Sequence, residues 1–178
     1  MVKNKKGVSE MIGYVLLVSL AIVMAGLLYG WLSGWIPKDI PDCPEGTSLM
    51  VKDYTYDCTN QRIFLTIANN GRFGVGGYFI KATTKENQTV ATTDLATLLQ
   101  DNGEDVAIFE NSVVIGPPNE NRFLPNNETP NVFDISSVGQ QIYRVDIVPS
   151  RWQKEGNRLR YIICGEDSTL KEKVTCTT

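Results

Sequence analysis

The 178-residue chain contains no histidine, and its other absences narrow the possible functions further. Without histidine, the commonest general base and catalytic metal ligand is missing, and the usual Ser-His-Asp triad cannot be built. No serine stands in a G-x-S-x-G motif, and no G-x-G-x-x-G, Walker or calcium-loop pattern occurs. The net charge is −3 and basic residues cluster only at the N-terminus, so nucleic acid is not expected as a partner. We therefore expect no enzymatic activity, no cofactor and no metal site.

Charge is also absent from a long stretch near the N-terminus, from Met11 to Ile36. An apolar stretch of this length can span a bilayer as a helix, and it is too long for the apolar core of an ordinary secretory signal. Lys3, Lys5 and Lys6 precede it, which favours a cytoplasmic N-terminus by the positive-inside rule. The sequence therefore predicts one retained membrane helix, with the rest of the chain outside the cytoplasm.

Two features of this stretch suggest more than a plain anchor. Gly26, Gly30 and Gly34 recur every four residues, in two overlapping Gly-x-x-x-Gly steps that would let another helix approach closely. The alternative is that glycine is simply common in membrane helices. Glu10 stands directly before the apolar run, where a carboxylate is costly unless it is paired. It could pair with the new ammonium group of a chain cut after Gly7, or lie at the membrane surface near the lysines.

The N-terminal sequence resembles a known family. Lys5-Lys6-Gly7, followed by Val8-Ser9-Glu10-Met11-Ile12-Gly13 and the apolar run, is similar to the class III signal peptide and N-terminal helix of archaeal type IV pilins and pilin-like proteins. In that family a prepilin peptidase cuts after the small residue that follows the basic pair. An assembly ATPase and a membrane platform then move the mature subunits into a filament whose core is a bundle of helices. The resemblance implies cleavage between Gly7 and Val8, although many archaeal pilins have proline where this chain has Glu10.

Beyond Pro37 the hydrophobic period changes from helical to two, which predicts an α+β chain. Its long N-terminal apolar helix would be followed by an all-β, immunoglobulin-like sandwich. Only Asp94 to Leu99 hints at a further helix, with Asp94 as a possible cap, and Gly116 to Pro130 reads as an exposed polar loop. The expected strands are Leu49–Tyr56, Ile63–Ala68, Tyr78–Thr84, Val106–Phe109, Val113–Ile115, Val132–Ile135, Ile142–Val148, Leu159–Cys164 and, less clearly marked, Lys171–Cys176.

The four cysteines, Cys43, Cys58, Cys164 and Cys176, all follow the helix. They lack the close spacing of zinc ligands, and an even number beyond a membrane segment is typical of disulfides in an oxidising compartment. Three pairings are possible. We favour Cys43–Cys58 with Cys164–Cys176, because both would close short local loops; four reduced, buried thiols are the alternative.

Two glycosylation sequons occur in predicted loops, at Asn87 and Asn127. Either could accept a glycan outside the cytoplasm, although an asparagine-rich chain also produces such triplets by chance. The proline after the second sequon disfavours its use.

The leading functional hypothesis is a structural subunit of an archaeal type IV pilus-like filament for adhesion or surface attachment. Residues 1–7 would be the leader, 8–36 the membrane and filament-core helix, 37–46 a linker and 47–178 the extracellular sandwich. Its partners would be copies of itself, the prepilin peptidase, the assembly ATPase, the membrane platform and, before assembly, the membrane. The alternative is a single-pass, membrane-anchored binding module that does not polymerise.

Overall fold

The structure is a computed structural model that describes residues 6–34, 42–102 and 106–177, with the backbone alone for residues 6–10, 101, 102 and 166. The chain divides into two compact units, Met1–Ile40 and Pro41–Thr178. The described residues of the first unit form one α-helix, α1, and those of the second contain the strands. The predicted α+β class, an apolar helix followed by a β-sandwich, is confirmed.

Helix α1 spans Lys6–Ser33, and its 28 residues make it roughly 42 Å long. The sequence from Met11 onward is uncharged and rich in leucine, valine, isoleucine and alanine. The helix ends three residues before the expected position. Gly34 forms a turn in which its N–H donates to the carbonyl of Trp31 at 3.3 Å. Glycine disfavours helical backbone, which accounts for the earlier end.

Eleven strands are described in the unit Pro41–Thr178, and all their pairings are antiparallel. One sheet has four strands in the order β1-β2-β8-β5, and the other has seven, in the order β10-β9-β3-β7-β6 with β11 beside β9 and β4 beside β3. The bounds are β1 Met50–Asp57, β2 Arg62–Ala68, β3 Gly77–Thr83, β4 Thr93–Asp94, β5 Leu99–Asn102, β6 Val106–Phe109, β7 Ser112–Ile115, β8 Glu128–Asp134, β9 Arg144–Glu155, β10 Arg158–Ile163 and β11 Leu170–Lys173.

The core of the sandwich follows from alternation along the strands. In β2, Ile63, Leu65 and Ile67 are buried, while Phe64 and Thr66 face outward. The same period in the other strands fills the space between the sheets, since successive side chains of a strand point to opposite faces. The largest buried side chains there are Tyr78, Ile80, Leu95, Phe123, Phe133, Ile142 and Ile147.

The stretch from Asp94 to Leu99 is not an α-helix. It contains the end of β4, a three-residue 3₁₀-helix over Ala96–Leu98 and the start of β5. Asp94 is not the cap of this 3₁₀-helix either, since the residue at the N-cap position is Leu95, which makes no side-chain cap hydrogen bond. The Oδ1 of Asp94 instead accepts a hydrogen bond from the N–H of Ala96 at 2.9 Å, in a turn just before the 3₁₀-helix. A single turn gains too few hydrogen bonds to offset the free-energy cost of nucleating an α-helix. The end of this stretch pairs as β5 with β8 instead.

The expected loop from Gly116 to Pro130 is only partly a loop. Phe123 is buried in the core and exchanges two 3.1 Å backbone hydrogen bonds with Val75. The last three residues belong to β8, where Pro130 lies opposite Thr66 of β2. The pairing of β5 with β8 is described only from Asn131 onward, and among the described residues Pro130 is paired with β2 alone, a position that tolerates proline.

All four cysteines form disulfides, as predicted, but the favoured pairing is wrong. The bonds join Cys43 to Cys164 and Cys58 to Cys176, with Cα–Cα distances of 5.1 and 5.6 Å. Strand β1 lies between Cys43 and Cys58 in the chain. Its eight extended residues place its two ends roughly 26 Å apart, which is far beyond the reach of a disulfide. Strand β11 separates the other two cysteines in the same way. Each bond therefore links the beginning of the unit to its end.

Candidate assembly helix and surface sites

The surface of α1 from Met11 onward carries exposed apolar side chains on every side. Sixteen large apolar side chains between Met11 and Leu32 are exposed, from 51% for Leu32 to 77% for Tyr29. Met11–Ser33 is the one stretch among the described residues that is long and apolar enough to cross a membrane. Removing that surface from water is worth on the order of tens of kcal/mol. The helix therefore requires lipid or other apolar helices around it.

The two serine hydroxyls of this stretch are satisfied within the helix. The Oγ of Ser19 donates to the carbonyls of Val15 and Leu16 at 2.8 and 3.0 Å, and the Oγ of Ser33 donates to the carbonyl of Gly30 at 3.0 Å. Serine in a helix commonly bonds back to the preceding turn in this way. These hydroxyls thus need no outside partner, a condition that a lipid environment imposes strictly.

The glycine series occupies less of the helix than expected. Gly26 and Gly30 lie in α1, and a Cβ added at either would meet no atom within 4 Å beyond the helix's own neighbouring backbone. Gly34 lies in the turn after the helix, so α1 carries one Gly-x-x-x-Gly step rather than two. The open space at both positions is available to a neighbouring helix.

The predicted processing residues lie at the start of α1. Gly7 and Val8 have helical backbone and lie within the first turn of α1. The N–H groups of a first turn have no partner inside the helix, so this turn unwinds readily. The side chain of Glu10 lies outside the described residues, so its role stays a prediction, as does cleavage between Gly7 and Val8.

The two sequons differ in accessibility. Asn87 is exposed in a turn closed by a 3.2 Å hydrogen bond from the N–H of Gln88 to the carbonyl of Lys85, and Thr89 is also exposed. Asn127 is exposed as well, but Thr129, the third residue of its sequon, is only 8% exposed and lies within β8. The sequence pattern alone does not distinguish these two environments.

An aromatic cluster on the outer face of the seven-stranded sheet escapes prediction from the sequence. It comprises Phe79, Phe109, Trp152 and Tyr161, with the rings of Trp152 and Tyr161 4.7 Å apart and that of Phe109 edge-on to Tyr161 at 6.1 Å. The Oγ of Ser150 donates to the phenolic oxygen of Tyr161 at 2.5 Å. Burial raises the pKa of Tyr161 and keeps the phenol neutral.

Beside the cluster lies a groove of about 390 Å³, which we call the outer groove. Phe79, Val148 and Ile163 supply apolar lining, and Thr89, Val90 and Ala91 belong to the loop that borders it. Lys81, Asp146 and Lys171 supply its charged groups. Its size lies within the range of small-ligand sites.

No metal centre is present among the described side chains, where no three or more cysteine, aspartate or glutamate residues converge. The glycine-rich stretch from residue 71 to residue 77 lies where backbone segments pass close to one another. A Cβ on Gly77 would lie 2.2 Å from the carbonyl oxygen of Val113, and one on Gly71 would lie 2.6 Å from the backbone nitrogen of Ser48.

Comparison with known proteins identifies no relative. No family model matches the chain. No curated protein matches it. No solved structure matches it. Functional interpretation therefore rests on the residues themselves.

Proposed function

We propose that this protein is a structural subunit of an archaeal type IV pilus-like surface filament and polymerises through α1. The observation that carries the proposal is the helix surface: charge-free from Met11 to Ser33, exposed on all sides, and with both serine hydroxyls satisfied internally. A disulfide-linked β-sandwich follows it, which suits a domain outside the cytoplasm.

The physical reason is that one helix must suit two environments in turn. Before assembly it lies in lipid, and afterwards it packs against identical helices. A helix that carries no charge and bonds its serine hydroxyls internally can move between them without exposing a charged group to hydrocarbon. In the bundle, the open positions at Gly26 and Gly30 allow close backbone contact where lipid offers no hydrophobic drive.

The proposed maturation follows from the residues at the very start of α1. A prepilin peptidase would cut between Gly7 and Val8, and an assembly ATPase with a membrane platform would transfer the mature subunit into a filament. The subunit would then be displayed on the cell surface, where adhesion or surface attachment is its proposed role.

The first experiment is to determine the N-terminal residue of protein sheared from the cell surface. Val8 as the first residue, in high-mass material, is the expected result. The variant Gly7→Phe should stay uncut and membrane-bound, because a bulky side chain would occupy the cleavage position. The control Gly13→Phe carries the same substitution six residues further on, where a Cβ meets no atom within 4 Å, and should still be cut. Filaments built from uncut protein would contradict the proposal.

One observation favours the alternative, an anchored binding module. The aromatic cluster and the outer groove form a half-exposed apolar surface of the kind that ligands use. Protein that retains Met1 and remains a monomer in detergent would support this alternative against the filament.

A further inference from the structure

We infer that Asn87, and not Asn127, carries an N-linked glycan whose first sugars lie in the outer groove. The inference rests on the domain's location outside the cytoplasm and does not depend on polymerisation. It starts from the loop Thr84–Thr92, which contains the first sequon and borders the groove.

The loop is held in one conformation by the middle residue of its sequon. The Oε1 of Gln88 accepts a hydrogen bond from the N–H of Thr84 at 3.1 Å. Its Nε2 donates to the carbonyl of Val90 at 2.8 Å and to the Oγ1 of Thr92 at 3.0 Å. The Gln88 side chain therefore closes the loop from within.

Arg144 holds the same loop from the sheet. It donates to the carbonyls of Gln88 and Thr89 at 3.2 and 2.9 Å, and its guanidinium forms two hydrogen bonds with Asp146 at 2.6 and 3.0 Å. Both charged side chains are largely buried, so this pair is poorly screened by solvent. The loop is thus ordered before any glycan is attached.

This order presents the two residues that a glycosyltransferase needs. Asn87 and Thr89 are exposed on either side of Gln88, and neither side chain has a hydrogen-bond partner among the described residues. In the second sequon, Thr129 is buried opposite Ile67, and Glu128 forms an ion pair with Lys52 at 2.5 Å. The folded domain therefore offers the first sequon and withholds the second.

The attachment step is a glycosyl transfer from a lipid-linked oligosaccharide phosphate. The side-chain amide nitrogen of Asn87 attacks C1 of the first sugar, so that a C1–N bond forms and the bond between C1 and the phosphate oxygen breaks. The lipid phosphate leaves with the electron pair, and the amide nitrogen gives up one proton to a base of the transferase. No oxidant or reductant is required.

The groove begins two residues along the chain from this attachment point. Thr89 lines it, and its Cα lies at most about 7 Å from that of Asn87. Two of its apolar lining residues, Val90 and Ile163, are 67% and 54% exposed. A tethered glycan would cover this surface without the entropy loss of binding a free ligand.

The lining suits a saccharide. The C–H face of a sugar ring can lie on Phe79 and Val148, while its oxygens reach the edges of the groove. Lys81 and Lys171 make no ion pair among the described residues, because Asp146 between them is engaged by Arg144. Two unpaired ammonium groups favour hydroxyl or carboxylate oxygens, as in an acidic sugar.

Attachment is tested by mass spectrometry of protein purified from its native cells. Trypsin separates the sequons, since Asn87 falls in residues 86–122 and Asn127 in residues 123–144. A mass increase of sugar residues on the first peptide and none on the second is expected. An unmodified first peptide, or a modified second one, would overturn the assignment. The result is independent of cleavage after Gly7, so it separates this inference from the proposed function.

The position of the glycan is tested by hydroxyl-radical footprinting of the full chain. Asn87→Gln removes the glycan without removing a contact, so labelling of Phe79 and Ile163 should rise severalfold, while that of the exposed Leu124 outside the groove stays constant. Asn127→Gln is the matched control and should resemble the wild type. Equal labelling of the groove in wild type and Asn87→Gln, with unchanged melting temperatures, would mean that the glycan projects into solvent and would refute its place in the groove.

Discussion

The two disulfides cross in sequence, and this arrangement predicts a particular order of stability losses. Cys43 and Cys58 precede both of their partners, so each bond closes a loop that overlaps the other. The perturbation is replacement of each bonded pair by alanine, alone and together. We expect the free energy of unfolding to fall less when the first of the two bonds is removed than when the remaining bond is then removed as well.

The magnitudes follow from loop-closure entropy in the unfolded chain. A single bond between residues 121 or 118 positions apart stabilises by about 5 kcal/mol. With one bond present, the loop that the other bond closes runs through the first bond and contains only residues 43–58 and 164–176, about 27 residues. Closing this shorter loop is worth about 3.5 kcal/mol. The first removal should thus cost about 3.5 kcal/mol and the second about 5 kcal/mol more. For a unit the size of Pro41–Thr178, the first loss lowers the melting temperature by about 12 °C.

The assay is denaturant unfolding of the unit Pro41–Thr178, which contains the described core and both disulfides. Reduced wild type and the variant with four alanines serve as the matched control, since they share the absence of cross-links and differ only in side chains. A non-reducing tryptic map of the full-length chain should first show residues 39–52 joined to 161–171, and residues 53–62 joined to 174–178.

Local pairing, Cys43–Cys58 with Cys164–Cys176, would give a different result. Its two loops are independent and short, so each removal would cost about 3 kcal/mol regardless of order. Equal first and second costs would therefore refute the crossed arrangement, and a tryptic map joining residues 39–52 to 53–62 would do so directly.

Three further substitutions test the sandwich. Arg144→Gln should lower the free energy of unfolding by about 1–3 kcal/mol and speed amide hydrogen exchange in residues 84–92, because the buried ion pair and two loop hydrogen bonds are lost. Unchanged exchange in those residues would count against the role of Arg144 in holding the loop. Hydrogen bonds from the turn after Asp57 lower its pKa below 3.8, so the stability it contributes is present above that value and is lost as the pH falls through the native pKa. Urea midpoints between pH 5 and pH 2 should accordingly fall less in Asp57→Asn than in wild type. Phe133→Ala should cost about 3–5 kcal/mol from a fully buried site, whereas Phe64→Ala, on the outer face of the neighbouring strand, should cost far less in the same melts.

The helix and most strands could be predicted because their signals are local. The uncharged run fixes α1, and alternation at Ile63, Leu65 and Ile67 fixes both β2 and its buried face. The end of α1 was misplaced because Gly34, and not Pro37, is the first residue after the helix. The end of an element depends on the weak preference of a single residue and is therefore hard to predict. An alternating pattern is easier to predict because several positions give the same signal.

The disulfide pairing and the aromatic cluster could not be predicted because both depend on which strands are neighbours. Short loops favour local cystine bonds in an unfolded chain, but β1 and β11 hold the local partners apart. In β10, Leu159, Tyr161 and Ile163 alternate like core residues, yet they face outward and Ile162 is buried. A shift of one residue reverses the faces of a strand, and the sequence of β10 alone does not decide between them.

The crossed disulfides also determine how far the domain can stretch under tension. A pull transmitted from the linker to β9 passes from Cys43 through the sulfur bridge to Cys164, only 16 residues from Val148. Even with every strand unravelled, that path extends about 55 Å, whereas the 105 residues of uninterrupted chain would extend about 360 Å. A load applied at the outer groove is therefore carried by a short covalent path through the Cys43–Cys164 bond. The strands between Cys43 and Val148 cannot lengthen the domain when they unfold under tension.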